Sequence, residues 1–144
     1  MKGRPLREPD EQHYSYAGAY RRIAVKLLSS YSDDIAYWVD YVVAAQIASQ
    51  SMELYLKAFI QMRTPEKSKW GHNLSKLRKI CELHGLVLTP STVKVVGTLN
   101  EKYKENQFRY EKNVGMRIIP PTEILSALNE IGDKIEYEAT QSAG

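Results

Sequence analysis

Cysteine is nearly absent: Cys81 stands alone in 144 residues, which excludes an internal disulfide and suits a reducing, cytoplasmic location. Only three histidines, His13, His72 and His84, are spread along the chain. That spacing builds no metal centre, and neither a metal nor a cofactor is expected. Eight glycines and six prolines are too few for a disordered or collagen-like chain. None of the glycines forms a phosphate-cradling loop, and there is no nucleophile elbow or Walker lysine, so enzyme classes that need them are set aside. No apolar run is long enough to span a membrane: residues 35 to 60 are interrupted by Asp40, Gln46, Gln50 and Glu53. The start, "MKGRPLREPDEQ", has no apolar core of the kind a secretory signal needs.

What is present is the composition of a single globular domain, 43% hydrophobic and 26% charged. The formal charge of +3 is too small to imply nucleic acid by itself. Its distribution is uneven. Residues 63 to 79 carry Arg63, Lys67, Lys69, Lys76, Arg78 and Lys79 against Glu66 alone, whereas the stretch from Pro120 holds five acids and one base, Lys134.

Apolar spacing and punctuation divide the chain into about five helices, so the expected fold is all-α, an antiparallel up-and-down bundle. The expected organisation is a flexible lead-in at 1–10, one helical domain over 11–140 and a short tail at 141–144. The first helix spans about 11 to 30, with Tyr16, Ala19, Tyr20, Ile23, Ala24, Leu27 and Leu28 as its apolar stripe. The second runs from about Asp34 to Met62, with Asp33 and Asp34 as first-turn acids. Asn73 caps a third helix that ends at a left-handed Gly85. Thr89 caps a fourth, with Pro90 as its first residue and Val93, Val96, Leu99 and Tyr103 buried. A last helix starts at the prolines 120 and 121 and repeats Ile124, Leu125, Leu128, Ile131 and Ile135. Strand-like alternation is confined to a few residues near 114 to 119.

The second helix is apolar on two flanks. Trp38, Tyr41, Val42, Ala45, Ala48, Met52, Tyr55, Leu56 and Phe59 form one; Val43, Ile47, Leu54 and Ala58 form the other. Two readings follow: the helix is the centre of its own bundle, or its second flank meets the same helix of another copy. Glu53 and Lys57 lie between the flanks, one turn apart. An exposed pair of this kind contributes only about 0.3 to 0.5 kcal/mol, so a third partner is expected, and Arg109 is the choice.

Two polar groups are candidate binding residues. His72 and Asn73 precede a helix carrying Lys76, Arg78 and Lys79, where helix donors and cations suit an RNA phosphate and a plain N-cap is the competing reading. Arg109 and Tyr110, in "NQFRYEKN", suit stacking on single-stranded RNA; the competing reading packs them on Glu53.

The order of "ELYLKAFI" on a long second helix, a basic linker, "GHNLSKL" opening a third helix and "FRYEK" after the fourth resembles the HEPN domain superfamily, over about residues 11 to 140. The resemblance implies a helical, commonly dimeric domain of prokaryotic toxin, antiphage or RNA-processing systems. Catalytic members are metal-independent ribonucleases marked by an Arg and a His separated by four to six residues. No histidine follows Arg109, which argues against activity. Arg78 and His84 have the spacing and form the runner-up ribonuclease site. The leading expectation is a cytoplasmic, non-catalytic homodimer that binds RNA or a partner protein, a nucleotidyltransferase-like protein among the possibilities, in a stress, defence or toxin-antitoxin setting.

Overall fold

The computed structural model describes residues 11–30, 38–64, 71–104 and 119–143, with the side chains of 38–39, 102–104 and 142–143 excepted. The described residues form five α-helices: α1 (Glu11–Ser29), α2 (Trp38–Arg63), α3 (Leu74–Leu83), α4 (Pro90–Lys104) and α5 (Pro121–Ala143). No strand occurs among them, and the strand-like stretch near 114 to 118 lies outside the described residues.

Local chemistry sets the helix ends. Asn73 adopts an extended backbone and accepts from the Lys76 N–H through its side chain, starting α3. At the other end the Leu86 N–H reaches the Cys81 carbonyl and the Gly85 N–H the Glu82 carbonyl. This is a Schellman closure, with Gly85 at φ 100° supplying the left-handed turn and Leu86 buried behind it. Pro90 and Pro121 open α4 and α5, where a missing N–H costs nothing.

α2 packs against all four other helices, so it is the centre of this bundle. Tyr41, Val42, Ala45, Ala48, Met52, Tyr55, Leu56 and Phe59 are buried as the spacing predicts. The Trp38 side chain lies outside the described residues. The second flank is divided: Ala58 is buried, Ile47 and Leu54 are partly buried and packed on the core, and Val43 is exposed. α1 runs antiparallel to α2, since His13 meets Gln61 and the Ser51 hydroxyl donates to the Ala17 carbonyl. α5 runs alongside α2 in the same direction: the Tyr41 hydroxyl donates to the Ile119 carbonyl at the start of α5, and Arg63 reaches Glu138 near its end.

α1 is rotated from its expected stripe. Its buried residues are Ala17, Ala24 and Leu28, while Tyr16 is 55% and Ile23 49% exposed. The small side chain of Ala17 lets α1 approach Ser51 closely, and that contact, together with Arg21 turned toward α5, fixes the rotation. On α3, Leu74, Leu77 and Cys81 are buried and Ile80 half-buried; on α5, Ile124, Leu128, Ile131 and Ile135 are buried and Leu125 half-buried. On α4, Val95, Val96 and Leu99 are buried and Val93 is partly so. Tyr103, Asp33 and Asp34 fall outside the residues whose side chains are described.

Candidate functional site

Glu53 projects from the middle of α2 with a side chain only 8% exposed. A carboxylate so buried needs partners. It has two: Lys57 Nζ lies 2.9 Å and His72 Nδ1 2.7 Å from the same oxygen, Oε2. Lys57 comes from the next turn of α2 and matches the charge. His72 comes from the turn before α3 and is 79% exposed. Because an ionised carboxylate only accepts, Nδ1 carries the hydrogen and donates it to Glu53. The ring is thereby anchored on its inner edge, and Nε2 faces outward.

The start of α3 beside it is already well satisfied. Asn73 Oδ1 takes the Lys76 N–H at 2.9 Å, and the buried Asn100 of α4 takes the Leu74 N–H at 2.7 Å through its own Oδ1. Two first-turn donors of the kind that hold an anion are thus spent on side chains of the protein. The exposed cations remain: Lys76 and Lys79, on one face at a separation of three, have no acidic partner among the described residues. Arg78 is different. Its guanidinium pairs with Glu82, and its Nε is buried with no hydrogen-bond partner among the described residues. His84 occupies the C-cap of α3. Arg109 and Tyr110 lie outside the described residues.

A second polar cluster was missed in the sequence. Arg21 Nη2 lies 2.6 Å from Asp133 and 3.1 Å from Asn129 Oδ1, and Nη1 lies 3.2 Å from Glu136. Glu136 also accepts from the Tyr55 hydroxyl. Burial first, and then the hydrogen bond to Glu136 and its charge, push the Tyr55 phenol well above its ordinary value. Tyr14 stands edge-on to Tyr55 at 6.3 Å. The signal lay in two patterns read separately: Arg21 continues the buried line of Ala17, Ala24 and Leu28, and Asn129, Asp133 and Glu136 repeat at helical spacing on α5. This cluster clamps α1 to α5. A third group, Glu130, ties the start of α4 to α5. Burial alone would raise its carboxyl, but hydrogen bonds from Lys134, Thr92 and Thr89 overrule that and push it down to about 2.

A groove of about 320 Å³ runs between α2, the α3–α4 connection and α5, lined by Phe59, Leu86, Val87, Lys134, Tyr137 and Glu138 among others. Its charged lining is consumed inside the protein: Glu138 by Arg63, and Lys134 by Glu130 and the Val87 carbonyl. Among the described residues no group of three or more metal-ligating side chains occurs, and no helix is long and apolar enough to cross a membrane.

The model of the HEPN domain matches residues 17–133, well over half of the chain. The chain belongs to the HEPN domain family. No curated protein and no solved structure matches it. In this HEPN domain the match runs from within α1 to the middle of α5 and contains the Glu53, Lys57 and His72 group and, of the Arg21 clamp, Arg21, Tyr55, Asn129 and Asp133 but not Glu136. Of the residues singled out in the sequence, the fold brings Glu53, Lys57 and His72 together, with Asn73 adjoining them in the chain. The expected pairing of Glu53 with Arg109 lies outside the described residues; beside Lys57, the second partner of Glu53 among the described residues is His72. The sequence carried a signal for it: "GHNLSKL" places a histidine directly before the Asn cap of a helix that must pack on α2.

Proposed function

We propose that this HEPN domain is a binding module that holds RNA without cutting it, acting as a cytoplasmic homodimer in a stress, defence or toxin-antitoxin type system. The observation that carries the reading is the exposed end of α3, where Lys76 and Lys79 stand without acidic partners among the described residues near the protruding imidazole of His72. Cations so placed meet phosphates with little desolvation cost. The non-cleaving part is supported by the runner-up pair: the Arg78 guanidinium is held by Glu82. The dimer reading is supported by large apolar side chains that α1 and α2 leave on the surface, Tyr16 55%, Ile23 49% and Val43 43% exposed, and by the family resemblance.

Titration of a labelled single-stranded RNA by fluorescence anisotropy across a salt series tests the reading. Binding should weaken steeply with salt, and Lys76→Gln with Lys79→Gln should lower the log–log slope by about 1.4, at about 0.7 per phosphate contact. The RNA should stay intact without added metal. Absence of binding at low salt refutes the module. Cleavage that disappears in both Arg78→Ala and His84→Ala replaces it with the ribonuclease reading. Light scattering tests the dimer, and a monomer there refutes it and leaves a different protein, a nucleotidyltransferase-like partner being the one the family suggests.

A further inference from the structure

Resting on the reading of this domain as an RNA-binding module, we propose that His72 Nε2 accepts a hydrogen bond from a ribose 2′-hydroxyl and so makes the site prefer RNA to DNA. The argument begins with the buried end of the ring. Glu53 Oε2, 2.7 Å from Nδ1, can only accept, so the ring hydrogen of the neutral imidazole sits on Nδ1 and the outward Nε2 presents a lone pair. Lys57, 2.9 Å from the same oxygen, already balances the carboxylate charge.

A lone pair facing solvent selects its partner by chemistry. It repels phosphate oxygens, which have no hydrogen to give, and it pairs with an O–H or N–H. Along a nucleic acid backbone the donor that repeats with every nucleotide is the 2′-hydroxyl, the group that distinguishes RNA from DNA. Phosphate contacts are left to Lys76 and Lys79 on the neighbouring face of α3, which position the strand but do not discriminate its sugar. The anchoring matters as well. A freely rotating exposed histidine would present either tautomer, whereas this ring is tied to a carboxylate that is itself nine-tenths buried, so the direction and the hydrogen-bonding sense of Nε2 are both fixed.

The test is anisotropy with three labelled single strands of one sequence: RNA, DNA, and RNA carrying 2′-O-methyl groups, which accept but do not donate. Wild-type protein should bind RNA about 3- to 10-fold more tightly than the other two, the factor one neutral hydrogen bond supplies. His72→Phe keeps a planar ring and removes the lone pair; it should bind all three probes as the wild type binds DNA, with unchanged helicity and salt dependence. The proposal is overturned if wild type binds the three alike or if the RNA preference survives in His72→Phe. In those two cases RNA binding itself still stands. Failure to bind any of the strands removes the binding module and this inference together.

Discussion

Gly132 sits buried in the middle of α5, where an alanine would ordinarily stabilise the helix by about 1 kcal/mol. Here the sign should reverse. A Cβ added at Gly132 would lie 2.6 Å from Arg21 Nη1, 2.7 Å from Cζ and 2.9 Å from Nε, so the guanidinium must retreat by about 1 Å to reach ordinary contact distance. Nη2 then loses Asp133, now at 2.6 Å, and Asn129, now at 3.1 Å, while Nη1 loses Glu136, now at 3.2 Å. Asp133 is 71% exposed and water replaces most of its share, so we assign it roughly 0.5 kcal/mol. The other two contacts, made by an Arg21 side chain only 15% exposed, are worth about 1 kcal/mol each. A loss of about 2.5 kcal/mol set against a gain of about 1 leaves Gly132→Ala destabilised by about 1.5 kcal/mol, or roughly 3 to 6 °C in Tm for a domain of this size. In an Arg21→Ala background the obstacle is gone, and the same substitution should raise Tm by about 2 to 4 °C. Thermal and urea unfolding of the four proteins closes the cycle. If Gly132→Ala raises Tm in the wild-type background, the guanidinium yields freely and the clamp between α1 and α5 holds nothing of consequence.

Glu130→Gln should destabilise the protein most near neutral pH. The folded carboxyl is lowered to about 2 from 4.5, so its contribution is fully present above 4.5 and fades as pH falls toward 2; urea midpoints of wild type and variant should converge over that window. Asn73→Ala removes the cap on the Lys76 N–H and should cost about 1 kcal/mol by chemical denaturation; an unchanged midpoint would show that Asn100 alone suffices to start α3. The Cys81 thiol is buried and pushed well above its ordinary value by that burial, with Glu82 adding to it, so a thiol-reactive dye should label no native protein and one site per chain in denaturant.

The helices and most of their ends were legible in the sequence because each is decided within a turn or two of chain. Asn73 caps the helix that follows it, Gly85 closes the one before it, and Pro90 and Pro121 start the next two, all through bonds between residues at most five apart. The long stripe of α2 was equally plain, since its burial depends only on spacing. The candidate site was half legible. Glu53 and Lys57 announce a polar station between two apolar flanks, but spacing does not say which distant group completes it. That choice belongs to the tertiary structure, where the crossing of α3 over α2 delivers His72 from 19 positions away. The rotation of α1 was undecidable for the same reason. Its sequence offers two apolar lines about 100° apart, Tyr16 with Ile23 and Ala17 with Ala24 and Leu28. Only the close approach at Ser51, and the acids of α5 more than a hundred positions along the chain that receive Arg21, turn the second line inward.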